Sequence, residues 1–308
     1  MRSDASFAAL VRRAGLSVDV VPVRIGASGK LRRPGAAAVD LVEALAARRS
    51  ARGVEARAVV FSTTTAALLA RPSVPYGIRF DATAALNRPG PGGAWQRHAE
   101  RRALRDAAVL MPVSRGAEAA AGGVRVPIPI AQVAGAAERD IDAVAYAADP
   151  RKRRLELICG AWRHGRLVIG GIDRDAGLRW LRRHRIPEPP GVEWAGALPH
   201  ERWLELVGRA RLFVNASLWE DFGIAPMEAL SAGTPLATVP TPGSFEALPL
   251  ARELAPELVN SDLTLAIEAG LNVDRESYAE RARELLRPYR EDAVLRTLQE
   301  HVLPRLLP

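Results

Sequence analysis

The sequence predicts an α/β chain folded as two doubly wound units with mainly parallel sheets. Three observations carry that prediction: helical and extended patterns alternate along the whole chain, the alternation restarts near the middle, and 308 residues suffice for two domains with separate cores.

Residues 5–14 carry apolar side chains at helical spacing and read as an amphipathic helix that stops at Gly15, with a buried strand expected over 18–23. A helix over 36–49, a strand over 58–62, a short strand over 78–81, a charged helix over 95–105 and a strand over 108–114 follow. A Pro-punctuated stretch, 126–130, then leads to a strand at 143–147. The second half repeats the pattern with helices at 155–162, 176–184, 200–209 and 226–232, and strands at 166–170, 191–194, 212–215 and 235–239. A closing helical stretch, 275–306, is broken at Pro288. The expected domains are 1–137, 138–291 and a last helix, 292–308. A Rossmann-like unit usually opens on a strand with a Gly-rich turn, so the first domain is expected to lack its opening strand.

Charge divides between the halves. The chain holds 43 Lys+Arg against 35 Asp+Glu, a net charge of +8. Residues 1–140 carry 21 basic and 11 acidic side chains (+10), leaving 22 and 24 (−2) for residues 141–308. The first half is therefore expected to meet something anionic, including the surface of an anionic membrane. Only Lys30 and Lys152 are lysines, and this Arg-dominated bias fits genome composition better than a nucleic-acid ligand. No aromatic residues are interleaved with the basic ones, so no nucleic-acid partner is expected. Cys159 is the single cysteine, which excludes a disulfide framework or a cysteine-based zinc cluster and makes a reducing compartment the default. No apolar run is long enough to span a membrane. The expected location is cytoplasmic, with peripheral contact at the inner membrane face.

The segment 214–235 carries the chemistry. A buried strand ends at Asn215, a loop holds Glu220 and Gly223, and a helix starts near Ile224 with Pro226 in its first turn. Helix N-termini present unpaired N–H groups and a positive dipole end, which suits phosphate, and Gly223 removes a Cβ that would block close approach. Glu220 and Glu228, eight positions apart, read either as solvated acids on a capped helix or as acceptors for sugar and ribose hydroxyls.

Ser217, Glu220, Phe222-Gly223, Glu228-Ala229 and Gly233-Thr234-Pro235 resemble the E-x7-E signature of retaining family-4 glycosyltransferases. The likeness extends to Val168-Ile169-Gly170-Gly171, to the Trp194–Leu198 turn and to the Tyr146–Trp162 segment. It implies a GT-B architecture: two Rossmann-like domains facing across a cleft, with the last helix crossing back to the first.

The resemblance implies a UDP- or GDP-sugar as donor substrate and no cofactor, with a glycan, lipid-linked molecule or small molecule as acceptor. Glu228 is expected at the ribose, the Gly223, Ile224 and Ala225 amides with Lys152 at the diphosphate, and Glu220 at the sugar hydroxyls. Gly171, Ala197, Leu198, Ser217 and Phe222 are expected to line the donor site. The family's phosphate-gripping arginine has no counterpart at its usual place, where Ala147 or Ala148 stands, so Arg151, Arg153 or Arg154 is expected to substitute. In the first domain, Asp81 is expected at the reacting sugar or the acceptor, with Arg79 and Ser114 on the acceptor side. Asp81 also reads as a turn cap. Transfer is expected without a metal, and no Asp-x-Asp metal motif is anticipated. Two other classes stay open: a nucleotide-sugar epimerase on the same architecture, and a non-catalytic binding or scaffolding protein.

Overall fold

A computed structural model describes residues 2–23, 35–136 and 138–308. Residue 137, the last of the expected first domain, lies outside them. Two compact units emerge, one comprising Met1–Pro129 with Glu291–Pro308 and the other Ile130–Arg290.

The first unit holds a parallel sheet of β1 (Val59–Phe61), β2 (Tyr76–Phe80) and β3 (Val109–Pro112) in the order β1-β2-β3. Val59 pairs with Tyr76 and Ile78 with Leu110. One apolar cluster gathers Phe61, Ala67, Ile78, Phe80, Ala103 and Ala117. A second joins Leu10 of the helix Arg2–Arg13 to Val109 and Met111 of β3 and to Val294, Leu298 and Val302 near the C-terminus. Burial on both faces explains why these strands read as continuous apolar runs.

The strand expected over 18–23 is not formed. Val20, Val21 and Val23 are exposed and the run joins no ladder among the described residues. β-branched residues favour an extended backbone, but a strand also needs a partner edge and a face to cover. The closing stretch breaks at a 3-10 turn, Arg287–Tyr289, and later widens into a π-helical turn, Leu298–Val302. Pro304, just beyond, lacks an N–H and its ring crowds the preceding turn, which favours such widening.

The second unit holds β4 (Ala143–Tyr146), β5 (Leu167–Gly170), β6 (Val192–Gly196), β7 (Phe213–Asn215) and β8 (Leu236–Thr238), all parallel in the order β6-β5-β4-β7-β8. Strand order reverses between β4 and β7. In open parallel sheets ligands bind beyond the strand C-termini at such a reversal, because the connections leave it in opposite directions and open a crevice. The loops after β4 and β7 are therefore the positions for a site.

Cys159 lies in the core of this unit, in the helix Leu155–Ala161, and burial pushes its thiol up to about 12. The native protein is expected to resist a disulfide reagent at pH 8 and to react fully once denatured. Rapid labelling under native conditions would show that the helix opens.

Candidate active site

In the loop after β4, the Asp149 carboxylate accepts from the Arg151 and Lys152 amides, each at 3.0 Å, and so starts the short helix Pro150–Arg153. Arg154 then adopts a left-handed conformation (φ 47°) and its Nε donates to the Ala216 carbonyl at 2.5 Å. The Leu218 amide donates to the Lys152 carbonyl at 2.8 Å, so the loops after β4 and β7 are joined main chain to main chain.

Glu220 sits in this junction, 3% exposed. Arg153 pairs with its Oε1, and the Lys152 ammonium lies 3.3 Å from its Oε2. Arg153 also donates to the Ser217 hydroxyl at 2.9 Å and lies over the Tyr146 ring. Burial lowers the Arg153 pKa from its ordinary value, while the Tyr146 and Asp149 charges oppose the shift. The single Ser217 hydroxyl proton has two acceptors in reach, Asn215 Oδ1 at 2.8 Å and Glu220 Oε1 at 3.0 Å.

A second loop, 241–246, backs this arrangement. The Glu220 amide donates to the Pro242 carbonyl at 3.1 Å, the Thr241 hydroxyl to the Ser217 carbonyl at 3.1 Å, and the Glu246 amide to the Phe222 carbonyl at 3.1 Å. Phe222 is buried, and Gly223 opens the helix Ile224–Ser231 in the left-handed region (φ +82°) with a Cβ position 2.5 Å from the Phe245 ring. No side chain caps this helix and Pro226 contributes no N–H, which leaves the Ile224 and Ala225 amides as first-turn donors. Its far end is held by Arg139, which donates to the Ala232 carbonyl at 2.7 Å and the Thr234 hydroxyl at 2.6 Å.

Glu228, one turn into the helix, is 4% exposed and both its oxygens meet protein donors. His200 Nε2 lies 2.5 Å from Oε1, and the Trp203 indole N–H donates to Oε2 at 3.1 Å. An ionised carboxylate only accepts, so the His200 proton at that contact sits on Nε2. Of the two readings of Glu228, the solvated acid does not describe it: each oxygen has one protein donor, which leaves one lone-pair direction on each.

Other expected residues fall as follows. Gly171 adopts φ +86°, donates its amide to the Gly196 carbonyl at 2.7 Å and leaves no room for a Cβ beside the Ala148 amide. Ala197 is exposed and Leu198 half-buried in the turn after β6. Leu198 also lines a cavity of about 240 Å³ with Val168, Trp194 and Arg202, whose wall includes neither Glu220 nor Glu228.

Three expected residues stand elsewhere. Arg151 is exposed, and Arg153 is the arginine that reaches Glu220. Arg79 is 4% exposed, beneath the helix Arg2–Arg13 with Asp4 at 4.0 Å and the Phe7 ring beside it. Ser114 is fully buried, and its hydroxyl accepts from the Ala117 amide at 3.1 Å as a helix cap. A strand-end Ser followed by a helix is already occupied when it serves as N-cap, which corrects its acceptor-side assignment. Asp81 is exposed just after β2.

The anticipation of no Asp-x-Asp motif is also corrected, since Asp140-Ile141-Asp142 and Asp173-Arg174-Asp175 both fit it. Asp140 pairs with Arg209 and Arg166, which bring its carboxyl down to about 2, with the Arg209 hydrogen bond the largest cause. Asp142 accepts from the Arg166 amide at 2.8 Å, and Asp173 caps the helix Arg174–Arg183. Asp140, Asp142 and Asp173 serve structural contacts. Among the described residues no cluster of three or more His, Cys, Asp or Glu side chains forms a potential metal site. Nor is any helix among them long and apolar enough to cross a membrane.

The sequence pattern did not assign His200 or Trp203 a place at Glu228. The available signal was their spacing of three at the start of an amphipathic helix, which puts both on one face.

Fold and site together define an open parallel α/β sheet with an acid-and-cation cluster at its strand-order reversal. Residues 166–249 match the family model described as glycosyl transferases group 1. Over 118 residues the chain is 30% identical to a phosphatidylinositol N-acetylglucosaminyltransferase component of Arabidopsis thaliana, a match covering 38% of this chain and 26% of that relative. The chain thus spans about a quarter of the length of this curated relative. Among solved structures, WaaG, a glycosyltransferase involved in lipopolysaccharide biosynthesis, superposes with a TM-score of 0.61 at 15% identity over 95% of this chain and 94% of its own. Sucrose-phosphate synthase from Thermosynechococcus elongatus gives 0.59 at 16% identity over 78% and 71%. The fold is the α/β, parallel-sheet fold of these GT-B glycosyltransferases.

Proposed function

We propose that this protein transfers a sugar from a UDP- or GDP-sugar to a glycan, lipid-linked or small-molecule acceptor, with retention of anomeric configuration and without a metal. The observation that carries this reading is the convergence, at the strand-order reversal of the second unit, of buried Glu220 with Lys152 and Arg153 beside an uncapped helix N-terminus. The family match over residues 166–249 and the UDP named in complexes of two fold neighbours support the same class of donor.

In this reading the Ile224 and Ala225 amides and Lys152 bind the diphosphate, and Glu228 accepts from the ribose hydroxyls. Glu220 accepts from the transferred sugar. Arg153, the more buried of the two cations, keeps Glu220 in place, and the more exposed Lys152 pairs with its other oxygen. Negative charge builds on the leaving diphosphate as the glycosidic bond breaks, so a fixed ammonium and a helix N-terminus favour the transition state over the ground state. Asp81 is assigned to the acceptor, and basic residues of the first unit are assigned to an anionic membrane face in the cytoplasm.

Incubation with a panel of UDP- and GDP-sugars and candidate acceptors tests the reading. Release of nucleoside diphosphate and a product of unchanged anomeric configuration by NMR are expected. Sugar interconversion without release would make the protein an epimerase, and tight binding without turnover would make it a non-catalytic binder.

A further inference from the structure

Resting on the proposed donor site, we infer that His200 is a positioning residue that sets the ribose preference of Glu228. Two features of the geometry lead there. Trp203 fixes one oxygen of Glu228 from the protein interior: its ring is 5% exposed, meets Tyr146 and Phe213 edge to face, and packs where a Cβ on Gly170 would stand. His200 fixes the other oxygen from the outer side, with a side chain 34% exposed.

A carboxylate held at one oxygen can still rotate about its terminal torsion, which is broad for Glu. Held at both, it keeps one lone-pair direction on each oxygen, the number that the two hydroxyls of a ribose cis-diol require. Orientation by a neighbouring donor is the same device by which outer partners orient metal ligands. His200 opens the helix His200–Arg209, one turn before Trp203, so both donors stand on the same helix face.

The test compares UDP and GDP with their 2′-deoxy counterparts by calorimetric titration of wild type, His200→Ala and His200→Gln. Wild type is expected to prefer the ribose form by about tenfold, the scale of a hydrogen bond to a charged group. His200→Ala is expected to bring that preference close to one while binding of the deoxy form changes little. His200→Gln, whose amide reaches about as far as Nε2, is expected to restore most of it. The split distinguishes positioning from a structural role, because general loosening weakens both ligands alike. Thermal unfolding checks that both variants fold, and a His200→Ala protein that does not leaves the inference to stand or fall on His200→Gln: retained preference supports it and lost preference overturns it. Unchanged preference in a folded His200→Ala, or tighter binding as though a cover had been removed, overturns the assignment alone. A wild-type protein that binds neither diphosphate overturns the donor-site reading and this assignment with it.

Discussion

Replacing Lys152 with alanine is expected to lower sugar transfer by about two orders of magnitude, the scale of losing one preorganised charge-stabilising donor. Its ammonium stands 3.3 Å from Glu220 with the side chain 37% exposed, so removing it disturbs the fold little and the charge facing the leaving group a great deal. The neighbouring substitution should behave differently. The side chain of Arg153 is 17% exposed and that of its partner Glu220 4%, so Arg153→Ala leaves a buried carboxylate with the lysine as its remaining cation. A loss of about 2–4 kcal/mol in stability is expected there, since stripping one partner from a buried pair exposes the desolvation cost of the other. Initial-rate assays and urea titrations on the two variants separate these effects. Unchanged turnover in Lys152→Ala would remove the lysine from the proposed chemistry.

Gly243→Ala is expected to cost about 2–4 kcal/mol and to abolish transfer, combining left-handed backbone strain with overpacking. Gly243 adopts φ +109°, and its Cβ would stand 2.1 Å from the Glu220 carbonyl and 2.9 Å from the Trp219 ring. A backbone oxygen cannot swing aside as a flexible side chain does, so the loop carrying Glu220 has to shift. Gly122 supplies the control: at φ +70° and ψ −166° it occupies a region almost reserved for glycine but has nothing within 4 Å of its Cβ position, so Gly122→Ala is expected to cost about 1–3 kcal/mol of backbone strain with no overpacking added. Equal losses at the two positions in chemical denaturation would show that the contact with Glu220 is irrelevant.

The fold class was legible because its signals are local. Apolar runs bounded by glycine mark parallel strands buried on both faces, and the helix at 200–209 is found at those residues. The run 18–23 shows the limit: its valines satisfy the same rule, but among the described residues no neighbouring strand receives them. Within the site, the identities from Ser217 to Pro235 sit on one strand-loop-helix segment and could be read together. The His200–Glu228 contact spans 28 positions and depends on how two helices pack, so no local pattern announces it. The choice among Arg151, Arg153 and Arg154 depended on a left-handed residue at Arg154, a conformation that non-glycine residues seldom adopt and sequence therefore seldom betrays. Ser114 and the Asp-x-Asp triplets show the converse, residue types suited to chemistry but engaged in capping and pairing.

The bonds that shape the Glu220 loop run from main chain to main chain, Leu218 to Lys152, Glu220 to Pro242 and Glu246 to Phe222. The side chain of Leu218, 47% exposed, takes no part in them. With Cys159 buried and its thiol held protonated, a Leu218→Cys protein offers one reactive sulfur on the rim of the site. A fluorophore carried there would report arrival of a ligand at the diphosphate and sugar positions by a change in emission, on the natural scaffold and with no background label.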